Sequence, residues 1–352
     1  MTAGVRAFVY LGFAACVLIA VPPACADETD NFTCRNRPLR DAVAALDEIM
    51  NARIQAAVGR ANAQRSGCDW ACLARLLRNG VGGSYRHPLT GIPHSNLERW
   101  IGRRRDVERC RLKFRESIYG ARAYNQPWLF PFNGRIILLA DSIRLSGRMV
   151  GLDKVNHFMR EGLAHWKAVA RPGGDIAAVM RKEIGRPGRQ FRWNEYGLKG
   201  WSLTGVLAYS DLAASYSGFR FWTDLLSTDA PASFVRRDAE TGTWSQRRQF
   251  TFADYVNDAW DEGVNFSEFQ HTLAKQVGVA LEKRGMTLPV RDCRSLGDLP
   301  HAELYVNRAC LDGRPTPVSA PSRFRPPSSL ERQNEVGSSF PAAFRAPKRG
   351  RE

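Results

Sequence analysis

After residue 21 the chain has no apolar run of the ~20 residues that a membrane-spanning helix needs. It has no G-x-S-x-G turn, no phosphate-binding loop and no dinucleotide fingerprint, so the common signatures of serine hydrolases, nucleotide hydrolases and nicotinamide enzymes are missing. No strand-like alternation and no fixed-period repeat can be read along it. Histidine is scarce, at six of 352 residues, so each imidazole close to acidic residues merits its own reading.

The first 26 residues have a clear pattern. Arg6 precedes an apolar run from Ala7 to Val21, Pro22 and Pro23 break it, and Ala24-Cys25-Ala26 supplies small residues before Asp27. This predicts a secretory signal over 1–26, cleaved after Ala26. A retained anchor, or a lipoprotein modified at Cys25, is the lesser alternative. Export makes disulfides the default for the six remaining cysteines, Cys34, Cys68, Cys72, Cys110, Cys293 and Cys310. Cys293 and Cys310 are expected to join each other. Cys68 and Cys72, one helical turn apart, are expected to reach different partners, Cys34 or Cys110. Zinc held by the first four cysteines is the sharper but less favoured idea.

The formal charge is +16, or +15 once Arg6 is removed with the signal. Such a surface attracts anions, here lipid, glycan or peptidoglycan of the envelope. No nucleic-acid module accompanies the charge, so no specific nucleic-acid partner is expected. The oligomeric state is left open.

The spacing predicts a mostly α fold: a multi-helix, orthogonal or bundle-like domain with disulfides and few or no strands. Residues 27–120 read as a helical, disulfide-bearing N-terminal segment and 121–313 as the main helical domain. Residues 314–352, rich in proline, serine and arginine, read as a disordered basic tail. Helices are expected over PLRDAVAALDEIMNARIQAAVGRANAQR, from Gly67 to Asn79-Gly80, and from a Ser95–Glu98 capping box through Cys110 to about Ile118. IILLADSIRLSG, DIAAVMRKEIG, DLAASYSGFRFWTDLL, FTFADYVNDAWDEG and FSEFQHTLAKQVGVALEKRG are read as further helices.

GLDKVNHFMREGLAHW places Asp153, His157, Glu161 and His165 at four-residue intervals on a helix from Asp153 to about Ala170. At 100° per residue, Val155, Phe158, Met159, Leu163, Trp166 and Val169 form the apolar side, with the ionisable row opposite. That row is either a solvated face, with Asp153 as helix cap, or one wall of a polar cleft. Gly162, Ala164 and Ala168 leave room for a second element to approach. His157 and His165 lie ~12 Å apart along the axis, too far to share one ion. A divalent metal would therefore use the adjacent pair His157 and Glu161; no cofactor is otherwise expected. Candidates for the opposite wall are Asp211, itself a possible helix cap, and Glu262. His87 and His94 sit in a glycine- and proline-rich loop, while His271 and His301 stand alone.

DKVNHF resembles the D-K-x-x-H-F signature of exported bacterial proteins, including small envelope lipoproteins. The combination of DKVNHFMREG, VLAYSDLAASYSGFRFW and WDEGVN, over about 150–266, is similar to a larger group of such proteins. Ser215 stands where that group has asparagine. The resemblance implies one polar site shared by Asp153, His157, Asp211 and Glu262, and it implies no particular activity. Two readings remain: an envelope protein that binds anionic material through arginines, or an envelope hydrolase built on His157, Glu161, Asp211 and Glu262, with Asp153 and His165 nearby.

Overall fold

A computed structural model describes residues 27–313 apart from 66, 87–92, 121–137, 187–191, 193, 198, 203 and 229–232. The expected signal, the expected tail and His87 lie outside the described residues.

Strand β1 (Asp27–Thr29) leads to helix α1 (Val43–Asn62), whose Leu46, Met50, Ile54, Val58 and Ala61 are buried at helical intervals. Helix α2 (Trp70–Val81) buries Leu73, Leu77 and Val81 and packs on α1. The Asp69 carboxylate caps α2 by accepting from Cys72 N. This start point corrects the expected disulfide pairing. Cys68 lies before the cap, in non-helical backbone, and reaches forward to Cys72. Cys34 is joined to Cys110, and Cys293 to Cys310 as expected. With all six paired, none is left for zinc.

Strands β2 (Ser84–Arg86) and β3 (Pro93–Ser95) form an antiparallel pair ahead of helix α3 (Asn96–Ile101). Ser95 Oγ accepts from Glu98 N at 3.0 Å, the expected cap. The other half of the capping box is absent: the Glu98 carboxylate faces the His94 ring at 3.0 Å, and Ser95 N donates to Asn156 Oδ1. α3 also stops at Ile101 rather than running on to about 118. Gly102 caps it, and Cys110 is committed to a β-bridge with Ser142 and to the disulfide with Cys34.

IILLADSIRLSG is not a helix. It contributes β4 (Leu138–Ala140), parallel to β1, and β5 (Ser142–Leu145), which pairs antiparallel with β6 (Arg148–Gly151). Ser146 and Gly147 have φ of 53° and 77°, the left-handed backbone of a two-residue hairpin turn, and the Asp41 carboxylate accepts from both amides. The short connection thus overrides an apolar run that reads as helix.

Helix α4 (Leu152–Asn156), a π turn (His157–Glu161) and helix α5 (Gly162–Val169) follow without a break. Then come α6 (Ile176–Ile184), β7 (Val206–Leu207), α7 (Tyr209–Leu225), β8 (Val235–Arg237), β9 (Trp244–Gln246), β10 (Glu268–Phe269), α8 (His271–Glu282) and α9 (Arg308–Leu311). FTFADYVNDAWDEG forms only the 3-10 turns Phe252–Asp254 and Asp258–Trp260. Thr251 and Asn257 side chains take the first amides of those turns, the local bonding by which such residues compete with a continuous helix. The fold is helical, but the described residues include ten short strands paired two by two, which corrects the expectation of few or no strands.

One apolar cluster extends from Phe32 to Cys310. At its centre the Phe158 ring meets Phe221, Phe252, Tyr255 and Trp260. α7 is buried on nearly all sides, as expected of a helix through the middle of a core. No helix among the described residues is long and apolar enough to cross a membrane.

Candidate functional site

The site forms where the α4–π–α5 rod crosses α7. A Cβ on Gly162 would stand 2.4 Å from the carbonyl carbon of Gly218, and one on Gly218 would stand 2.0 Å from Phe158 O. Only glycine at both positions lets the backbones approach this closely. The crossing sets His157 against Asp211 and Ser215, which are one turn apart on α7. Its Nε2 is 3.4 Å from Asp211 Oδ2 and its Nδ1 is 3.5 Å from Ser215 Oγ.

The π turn alters the expected helical wheel. The amide of Gly162 donates to His157 O, five residues back, so one extra residue fits into the turn and the later positions rotate. Val155, Phe158, Met159 and Leu163 still face the core. The other side is covered too, for Asp153 and His165 are buried. Of the two readings of the row, the geometry agrees with a covered polar wall. Neither Asp153 nor Asp211 caps its helix. Gly151 and Ala208 occupy those places, and both acids lie in the first turn, where the helix dipole favours their charge.

Two lysine-centred clusters flank His157. In the first, Lys154 is fully buried, with Nζ 2.7 Å from Asp153 Oδ2, 2.6 Å from Asp211 Oδ1 and 2.6 Å from Glu262 Oε1. Burial works against its ammonium, but the three carboxylates outweigh that and hold its pKa well above the ordinary lysine value. Thr29 Oγ1 donates to Asp153 Oδ1 at 2.7 Å, and Ser210 Oγ donates to Glu262 Oε1 at 3.3 Å. Burial lifts the Glu262 carboxyl to about 7. It lifts that of Glu28, on β1, well above the usual range, against a hydrogen bond from Thr204. Burial would also raise Asp211, but His157 and Lys154 pull its carboxyl below the usual value.

In the second cluster, Lys199 Nζ lies 3.2 Å from Glu161 Oε2 and also contacts Glu183 Oε1. Burial would raise Glu161 and Glu183, but Lys199 keeps both low. His165 Nε2 is 3.8 Å from Glu183. Glu195 is buried, and its Oε1 has no hydrogen-bond partner. Burial, followed by the nearby Asp211 charge, pushes its pKa well up.

Among the described residues, two groups bring potential metal-ligating atoms within 4.8 Å of one another: Asp153–Asp211–Glu262 and His157–Glu195–Asp211. The first surrounds the Lys154 ammonium. Glu161 belongs to neither group; it pairs with Lys199 rather than with His157. The structure therefore gathers Asp153, His157, Asp211 and Glu262 in one place, and sets Glu161 and His165 in the adjoining cluster.

Sequence reasoning missed Lys154, Lys199, Glu28, Glu183 and Glu195. Lys154 was in view inside DKVNHF, but a lysine next to an aspartate reads as a surface pair. Glu195 and Lys199 come from NEYGLKGW, an irregular stretch with no periodicity to place them. His94 is buried beside Glu98, and His301 lies at the surface. A groove of 660 Å³ beside the Cys293–Cys310 disulfide is lined by Leu288, Arg291 and Arg294, and by none of the network residues. No family model matches the chain, and neither a curated protein nor a solved structure does so.

Proposed function

We propose that the protein is an exported hydrolase of the cell envelope whose reaction site lies where His157 meets Asp211, Ser215 and Glu195. The supporting observation is that His157, with 16 % of its side-chain surface open, stands on a buried to half-buried network of seven carboxyls and two lysines. Those carboxyls belong to Glu28, Asp153, Glu161, Glu183, Glu195, Asp211 and Glu262. Desolvating an ion costs several kcal/mol, and an apolar replacement of equal shape is often at least as stable. A network this rich in acids is a poor way to gain stability and a good way to tune protonation.

Hydrolysis uses such an arrangement directly. Water is activated at His157, and its oxygen adds to a carbonyl or phosphoryl centre as its O–H bond breaks. The network holds the released proton until the leaving group takes it. Glu262, at about 7, is poised for proton exchange at neutral pH. The strong positive charge draws anionic lipid, glycan or peptidoglycan toward the surface. Arg148 and Arg291 both pair with Asp258, and Arg111 with Asp141, so those arginines set a field rather than a defined anion site. The three disulfides and the resemblance to exported D-K-x-x-H-F proteins support an envelope location.

Incubating the protein with peptidoglycan and with anionic ester, amide and phosphodiester substrates, then reading products by mass spectrometry, tests this reading. One substrate class should turn over, and His157→Ala should lower its rate by ~100-fold or more. Absence of turnover on every substrate, or equal rates for the variant, would remove the proposal.

A further inference from the structure

The geometry points to a divalent transition-metal site, with zinc the best-fitting ion, held by His157 Nε2, Asp211 Oδ2 and one carboxylate oxygen of Glu195. This deepens the hydrolase reading and rests on it for the metal's role, though not for the binding itself.

The two acid groups differ in what neutralises them. In Asp153–Asp211–Glu262 the Lys154 ammonium already sits within 2.7 Å of all three carboxylates, so the chain supplies its own cation. At His157–Glu195–Asp211 no lysine or arginine among the described residues sits between the ligand atoms: Lys154 meets Asp211 on its other oxygen, and Lys199 acts on Glu195 through its charge without an ion pair. Lys199, the nearest basic neighbour of Glu195, makes its ion pairs with Glu161 and Glu183. Asp211 spans both groups, with Oδ1 on Lys154 and Oδ2 toward His157, the division of labour found where one carboxylate oxygen ligates and the other is anchored.

Glu195 gives the independent sign. It is 2 % exposed and its Oε1 has no hydrogen-bond partner; Glu262 Oε2 also lacks one, but Glu262 Oε1 lies 2.6 Å from the Lys154 ammonium, whereas Glu195 forms no ion pair among the described residues. An unmatched buried carboxylate oxygen costs ~1–3 kcal/mol or more. Here it belongs to a carboxylate within ligand range of an imidazole nitrogen and a second carboxylate. One imidazole and two carboxylates suit zinc and its neighbours in the first transition row, and three protein ligands leave a fourth position for water. Ser215 Oγ, 3.5 Å from His157 Nδ1, is placed to orient the ring, as partners of ligating histidines do. In the hydrolytic step the ion would lower the pKa of the water it holds, and water's proton would pass to the carboxyl network.

Full-length secreted protein, stripped with chelator, is titrated with zinc chloride against a chromogenic competitor; cobalt chloride is added separately and its visible spectrum recorded. One zinc per chain should bind, and cobalt should give the intense visible bands of a four-coordinate site. Glu195→Gln should weaken zinc binding by ~100-fold or more while unfolding at the same urea concentration as the stripped wild type or a higher one, because it replaces a carboxyl that burial already disfavours as an ion. Glu161→Gln, outside the ligand set, should change zinc affinity by no more than about threefold. Zinc binding that Glu195→Gln leaves intact, or no zinc binding by the wild type, overturns the inference. Hydrolysis that needs His157 but survives chelation would overturn the metal and keep the hydrolase. Zinc bound as described without turnover of any substrate would keep the metal site and remove the hydrolase.

Discussion

The two lysine-centred clusters are built alike and finished differently. Lys154 is surrounded by Asp153, Asp211 and Glu262, each within 2.7 Å, and its side chain is sealed from water. Lys199 makes its ion pairs with Glu161 and Glu183, acts on Glu195 only through its charge, and leaves that carboxylate to face His157 and Asp211. The closed cluster ties β1, α4, α7 and the WDEGVN turn together. The open one borders His157, whose imidazole is the more exposed of the two in the network, at 16 % against 5 % for His165. The proposed reading is that the lysine-filled cluster holds the frame and the one without its own central cation is the place for chemistry.

Lys154→Met should break the frame and give the largest effect. Three carboxylates would lose their cation, and loss of one partner from a buried ion cluster costs ~3–5 kcal/mol. Urea unfolding should reveal this, and a cost below about 1 kcal/mol would show that the cluster relaxes freely. Lys199→Met, by the same measurement, should cost roughly half as much, since that ammonium has fewer partners and 9 % of its side chain is open. Equal costs would erase the distinction between the clusters. Gly218→Ala should come next, at ~1–3 kcal/mol, because the new methyl meets the Phe158 carbonyl at the helix crossing. It should also separate Asp211 from His157 and so reduce any activity that depends on both.

How much of this was legible beforehand depended on periodicity. The apolar side of the DKVNHF helix, including the buried Phe158, followed from its spacing, and Gly162 signalled a close neighbour. The partner Gly218 and the acids Asp211 and Glu262 lay in segments already marked as the opposite wall. The π turn could not be read, because a single inserted residue leaves no compositional trace. It rotates the positions that follow it; Glu161 makes its ion pair with Lys199, and Glu195 comes within ligand range of the imidazole. Hairpin β5–β6 was hidden for a different reason, since a two-residue turn at Ser146-Gly147 decided the structure of flanking apolar residues that suit either state.

A further expected effect concerns pH. Burial lifts Glu262 from 4.5 to about 7, so between those values the folded protein holds a proton that the unfolded chain gives up. Its contribution to stability is complete below about pH 4.5 and lost as pH rises through about 7. Glu262→Gln should therefore flatten the decline in stability between pH 5 and 7 measured by urea unfolding. An unchanged slope would place that proton elsewhere in the network.

The central claim, that the open cluster and not the closed one is the working site, is tested most directly by anomalous diffraction from crystals grown with zinc. The account predicts a single peak bounded by His157 Nε2, Asp211 Oδ2 and Glu195, with Lys154 Nζ still among its three acids. A peak among Asp153, Asp211 and Glu262 with the lysine displaced, or no peak at the His157 position, would contradict it.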